Sequence, residues 1–166
     1  MSNLLITSCL ASHLIGQIEA AESSILIVQY LAHTPATGAH LRYRQLWQAM
    51  EAAARRGVRC VAVIDKPTAT DTAHVAATRA AVRLANAGWS VGLRRIGPRL
   101  HAKCWVFDGS RAIIGSHNLA HQSMLGGSDI SILANDAEIA RDLSGQIMRF
   151  LDLWEGPDYG KSYRLF

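Results

Sequence analysis

Apolar residues along this chain recur in two rhythms that take turns. ILIVQY, residues 25–30, is a continuous apolar run, which predicts a buried central strand. VRCVAVI at 58–64 and SVGLRRI at 90–96 predict the next two strands. Around and between them apolar residues fall three and four apart. Residues 10–23 predict a short helix with Leu14 and Ile18 on one face. Residues 39–56 predict an amphipathic helix whose Leu46, Met50 and Ala53 share a face, with Gly57 as its stop. A third helix, capped by Asp71 or Thr72, should run to about residue 87, with Gly88 ending it. Strand, helix and strand in this order imply a right-handed parallel crossover.

The second half of the chain changes rhythm. CWVF lies inside a predicted strand at 101–107, reached through a Gly97-Pro98 turn. Asp108-Gly109-Ser110 is a turn, and 112–115 is a second short strand. Residues 119–128 contain Gly126-Gly127 and read as a flexible loop. Alternation predicts a last strand at 129–135. Asp136 then caps a helix with Ile139, Leu143, Ile147, Phe150 and Trp154 on one apolar stripe, stopped by Gly156-Pro157. The tail, 158–166, interleaves aromatic and basic residues and reads as a docked terminus. No repeat or linker interrupts this. The expectation is one α/β domain over residues 1–166, with a mostly parallel sheet and helices on both faces.

Composition narrows the class. Of 166 residues, 49% are hydrophobic and 18% charged, as in soluble globular proteins. No apolar run approaches membrane-spanning length, and the N-terminus lacks a basic leader, which favours the cytoplasm. Cys9, Cys60 and Cys104 are too scattered for a disulfide framework. The net charge of +4 is modest, but it is unevenly placed. Arg79, Arg83, Arg94, Arg95, Arg99, Lys103 and Arg111 face Asp108 alone across 79–111. Such a patch suits a polyanion, and Arg94, Arg95 and Arg99, just ahead of the strand at 101–107, are candidate substrate contacts.

The candidate chemistry lies at 100–118, LHAKCWVFDGSRAIIGSHN. Imidazole can attack phosphorus or pass a proton near neutral pH, and an ammonium is a compact charge for phosphate oxygens. His101 and Lys103, two apart on a strand, share a face. The second strand delivers Ser116 and Asn118 just beyond its end, where side chains and amides can donate to an anion. Asp108 lies an odd number of positions from His101 and faces away, so its expected role is structural, tying the two strands together. One histidine cannot both attack a phosphorus and protonate the oxygen leaving from its opposite side. The chain has one such histidine-lysine pair, so a second must come from another subunit, which a two-fold homodimer supplies.

The complete pattern HxK(x)4D(x)6GSxN resembles the signature of the phospholipase D superfamily. The length, with a single copy, is most similar to the small single-motif bacterial endonucleases of that superfamily. The resemblance implies a mixed, mostly parallel sheet of about seven strands with helices on both faces. It also implies a phosphohistidine on one His101, with the partner's His101 as general acid. Lys103, Asn118 and Ser116 from both chains would hold the phosphate, Gly115 would be structural, and no cofactor or metal is implied. In the family a carboxylate beyond the asparagine fixes the other imidazole nitrogen. Asp129 stands at the matching place, eleven residues after Asn118, where a longer glutamate is common.

Three other readings compete. His101, Cys104, His117 and His121 have a spacing close to a zinc finger's. However, His101 and Cys104 would face opposite sides of a strand, and GSHN follows a strand rather than lying on a helix. A phospholipase or phosphatidyl transferase shares the chemistry but needs a membrane-facing surface, and no amphipathic anchor is visible. A nucleic-acid-binding module without turnover needs only the basic patch. His33 and His40, in the loop after the first strand, are candidate substrate contacts.

Overall fold

The computed structural model describes residues 3–65, 72–94 and 99–152. Seven strands form one sheet in the order β1-β7-β6-β5-β2-β3-β4. They are β1 (Leu4–Ile6), β2 (Ser24–Gln29), β3 (Arg59–Asp65), β4 (Ser90–Arg94), β5 (Lys103–Phe107), β6 (Arg111–Gly115) and β7 (Ser131–Ala134). The helices are α1 (Leu10–Glu19), α2 (Leu41–Arg55), α3 (Thr72–Asn86), α4 (His121–Leu125) and α5 (Ala137–Asp152).

The sheet is mixed, but it is not mostly parallel. Only the β2–β3 and β3–β4 ladders are parallel, and β2–β5, β5–β6, β6–β7 and β1–β7 are antiparallel. The cause lies in the connections. Crossover helices α2 and α3 are long enough to return the chain to the same end, whereas the short turn between β5 and β6 can join only antiparallel neighbours.

Alternation along the central strands sends side chains to two cores. Ile25, Ile27, Cys60, Ala62, Ile64, Trp105 and Phe107 join the larger core, under α1, α2, α3 and α4. Leu26, Val28, Val61, Val63, Cys104 and Val106 point the other way and meet Ala140 and Ile147 of α5. Helices therefore cover both faces, as expected. Burial on both faces is why β2 and β3 read as unbroken apolar runs.

Several boundaries differ from the sequence reading. β1 was not foreseen, because three residues are too few to show alternation. The strand expected at 101–107 starts at Lys103, so His101 stands just ahead of the ladder. The strand expected at 129–135 is β7, which leaves Asp129 in the approach to it. The expected flexible loop contains α4, held by Met124 in the larger core. The first helix ends at Glu19, short of residue 23. Asp136 does cap α5, accepting from the N–H groups of Glu138 and Ile139. Ile139, however, is exposed instead of joining the buried stripe. Thr72 is the first residue of α3 rather than its cap. Asp71, Arg95, Gly97-Pro98, Trp154, Gly156-Pro157 and the tail lie outside the described residues.

Candidate active site

One end of the sheet collects the chemistry. β2 leaves there at Gln29, which is opposite Lys103 at the start of β5. β6 leaves there at Gly115, opposite Ser131 at the start of β7. Loops that carry His101, Ser116, Asn118 and Asp129 therefore converge on one edge.

His101 is exposed and Lys103 is buried. The Lys103 ammonium lies 3.2 Å from each ring nitrogen of His101 and donates to the His101 carbonyl oxygen at 2.8 Å. Burial pushes the Lys103 pKa down, and the charge of Asp129 opposes that shift.

Tyr30, immediately after β2, is a residue the sequence reading missed. Its ring lies 4.6 Å from the His101 ring at a tilt of 52°. The Lys103 ammonium is 5.0 Å from its centroid and the Arg99 guanidinium 5.4 Å. Three basic groups thus share one aromatic ring, whose negative face attracts cations. In sequence Tyr30 merely ends an apolar run. Arg99, exposed and stacked on Tyr30, stands at the mouth of the site. Arg94 closes β4, paired with Asp65 across the ladder, and Arg95 is not among the described residues.

The remaining motif residues form a second group. The Ser116 hydroxyl donates to Asp129 Oδ1 at 2.7 Å and accepts from the Ile130 N–H at 3.0 Å. Asn118 Oδ1 accepts from the Leu31 N–H at 3.3 Å, which leaves its NH2 group for an anion. The Asn118 N–H donates to Ser123 Oγ at 2.8 Å, and Ser123 Oγ donates to Asp129 Oδ2 at 2.6 Å. Hydrogen bonds from Ser123 and Ser116 hold the Asp129 carboxyl below the usual carboxylate range, against the effect of burial. The contact expected between Asp129 and His101 is not formed among the described residues. Both carboxylate oxygens are engaged by hydroxyls, and the His101 ring rests on Tyr30 and Lys103. Buried Gln29 accepts from the Leu119 N–H at 2.9 Å and so fixes the loop beyond Asn118.

Asp108 and Gly115 have the surroundings of structural residues. Asp108 Oδ1 accepts from the N–H groups of Glu22, Ser23 and Ser24 and from the Ser23 hydroxyl, while Oδ2 accepts from Arg111 at 2.9 Å. It thereby ties the β5–β6 turn to the segment entering β2. At Gly115 a Cβ would overlap the Ser131 hydroxyl and the Ile130 carbonyl oxygen, so β6 and β7 can approach this closely only at glycine.

The zinc-like histidines and cysteine have separate partners. Cys104 points into the α5-side core. His117 is buried and bonded through Nδ1 to Ser131 Oγ at 2.7 Å. His121 Nε2 accepts from the His40 N–H at 3.2 Å, and its ring meets Tyr43 edge-on. Among the described residues no group of three or more His, Cys, Asp or Glu side chains could hold one ion. His40 caps α2 by accepting from the Arg42 N–H, and the His33 carbonyl accepts from the Tyr43 hydroxyl, so both belong to the α2 entry.

The comparisons with known proteins agree with this fold. A family model described as "Cardiolipin synthase, PLD-like domain" matches residues 14–151. No curated protein matches. Among solved structures, the chain is similar to Nuc from Salmonella typhimurium, a phospholipase D family member. The identity is 22% and the TM-score 0.75, over 95% of this chain and 97% of that one. NucT from Helicobacter pylori is 14% identical with a TM-score of 0.67, over 91% of this chain and 96% of its own. Phosphatidylserine synthase from Haemophilus influenzae is 14% identical with a TM-score of 0.65, covering 98% of this chain but 40% of that one. With the matched region spanning most of its length, the chain belongs to the phospholipase D-like domain family, and its chemistry is that of the phosphodiester bond.

Proposed function

We propose that this protein is a metal-independent endonuclease that works as a homodimer and cleaves nucleic acid through a phosphohistidine. The observation that carries the reading is one His101–Lys103 pair per chain, held at 3.2 Å at the same open end of the sheet as the loop that carries Asn118. A neutral His101 nitrogen attacks phosphorus and the P–O bond to the leaving oxygen breaks. His101 of the partner subunit gives that oxygen its proton. Water then attacks phosphorus, giving its proton to the partner's His101 as the new P–O bond forms and the P–N bond to His101 breaks, which releases the phosphate end. Lys103 and Asn118 stabilise the charge that develops on the equatorial oxygens. Arg99, braced on Tyr30, favours a polyanionic strand as substrate.

One observation favours a second reading, a phospholipid substrate. Leu5, Ile130 and Ile132 are exposed beside Asp129 and would suit an acyl chain. Among the described residues no helix is long and apolar enough to cross a membrane. Plasmid, single-stranded DNA, RNA and phospholipid vesicles, each assayed with chelator, separate the readings. Nucleic-acid cleavage that persists in chelator, by a species that light scattering shows to be dimeric, is the expected result. Dependence on added magnesium, or full activity as a monomer, overturns it. Binding of nucleic acid with no cleavage would instead identify a binding module. In a His101→Ala background, Arg99→Ala should flatten log affinity against log salt by roughly one unit.

A further inference from the structure

Asp129 stands where a carboxylate was expected to fix the His101 ring, but its bonds go elsewhere. Oδ1 is taken by Ser116 at 2.7 Å and Oδ2 by Ser123 at 2.6 Å. Ser123 also accepts the Asn118 N–H at 2.8 Å. A single hydroxyl therefore bridges the amide of one motif residue and the carboxylate that holds another.

Local structure explains why Ser123 can do this. It lies on the short helix α4, which Met124, fully buried in the larger core, pins in place. The Met124 N–H closes the first turn on the Ala120 carbonyl at 2.9 Å. Gly126, with φ of 132°, ends α4 in a conformation closed to other residues, and the chain doubles back to bring Asp129 under Ser123. The sequence reading singled out neither α4 nor Ser123.

We infer that Ser123 is a positioning residue for the reaction: it holds Asn118 directly, and Ser116 through Asp129, where both meet the phosphate. The hydroxyl has both parts to play, since it accepts from Asn118 and donates to Asp129. With Oδ1 of Asn118 held by Leu31 and its N–H held by Ser123, the NH2 group has one direction left. Loss of the hydroxyl frees the peptide at Asn118 and strips one oxygen of Asp129 of its partner. A donor displaced by a fraction of an ångström costs turnover more than binding.

The inference rests on the proposed reaction site, so one arm of its test needs no substrate. Ser123→Ala should lower kcat by about tenfold with KM nearly unchanged, on an activated phosphodiester and on nucleic acid alike. Ser123→Thr, which keeps the hydroxyl, should restore most of the loss. Ser123→Ala and Asp129→Asn together should cost little more than Asp129→Asn alone, because both cut one relay. By NMR, Ser123→Ala should move the Asn118 side-chain amide signals and leave the His101 imidazole titration where it was. Wild-type kcat in Ser123→Ala overturns the inference, as does a shifted His101 titration with unmoved Asn118 signals. If Ser123→Ala does not fold, Ser123→Cys, with its weaker hydrogen bond, should show the same kcat loss in smaller measure. If the wild-type protein cleaves nothing, the endonuclease reading fails while the NMR arm still decides the role of Ser123.

Discussion

The β5–β6 hairpin has an aspartate near each end, and the two are held in different ways. At the closed end, Asp108 accepts from three backbone N–H groups, one hydroxyl and one arginine. At the open end, Asp129 accepts, among the described residues, from the hydroxyls of Ser116 and Ser123. Burial alone would raise the pKa of Asp108, but the donors of Ser23, Ser24 and Glu22 outweigh it and leave the carboxyl below its ordinary value. Backbone donors join distant segments that cannot separate without unfolding. Hydroxyl donors join side chains of one loop, which can adjust around a substrate. The contrast teaches that an aspartate held by backbone donors sustains the fold at one end, while one held by hydroxyls is available, in the proposed reaction, to set the geometry of the site at the other.

The largest test of this contrast is a pair of substitutions with opposite signatures. His101→Ala and Lys103→Ala should each lower kcat by roughly a thousandfold or more, and in His101→Ala the melting temperature should barely move. His101 is exposed, so its loss opens no cavity. Asp108→Ala should do the reverse. It leaves the N–H groups of Glu22, Ser23 and Ser24 without their acceptor and the Arg111 guanidinium with Gln17 alone, at a cost of about 3 kcal/mol. For a domain of this size that lowers the melting temperature by roughly 6–12 °C, while the folded fraction keeps its turnover. Calorimetry and single-turnover kinetics on the same preparations check both. Normal stability in Asp108→Ala would end the comparison.

The legible parts of the molecule were those whose signal is local. Continuous apolar runs gave β2 and β3 because both their faces are buried, and the Asp136 cap showed through its side-chain type. The spacing from His101 to Asn118 survived because two adjacent strands convert fixed offsets into fixed positions. What escaped depends on contacts between distant segments. Tyr30 meets its partners about seventy residues away, so nothing near it in sequence marks it. Helix α4 exists because Met124 is buried, a tertiary fact that overrides the glycines beside it. The parallel β2–β3–β4 crossovers are as expected, but the antiparallel remainder of the sheet is not, because the place of β5 against β2 is set across the sheet, not along the chain.

Tyr30 sharpens the contrast at intermediate size. The open end gathers Arg99, Lys103 and His101 on one ring, whereas the closed end neutralises its arginine with a carboxylate. The ring face offsets repulsion among three basic groups without supplying a countercharge that would compete with phosphate. Tyr30→Leu should therefore lower kcat by about three- to tenfold, because His101, Lys103 and Arg99 lose the ring they pack against. Tyr30→Phe keeps the ring and should behave as wild type. Equal losses in the two variants would mean that the hydroxyl, not the ring face, is what matters.

Acid should loosen the two ends in sequence, and this is the smallest effect. His117 lies behind the open end, buried against Ser131, which is opposite Gly115. Burial lowers its pKa below the ordinary histidine value, with the Asp129 charge and the backbone at Ser8 opposing. Below a pH of about 6.5 the unfolded chain binds a proton here that the folded chain refuses. Stability from His117 is therefore complete above that pH and is lost as pH falls toward the folded value. His33, lowered by burial as well, adds to the same limb. Asp108 behaves differently, since its contribution is complete above about pH 3.9 and is lost only on further acidification. Melting temperature should fall in two steps as pH drops, first near neutrality and then in strong acid. His117→Phe should shrink the first step and leave the second, while Asp108→Asn should do the converse. If His117→Phe keeps the full first step, the buried imidazole is not what acid attacks at the open end, and the histidines of the α2 entry become the groups to titrate.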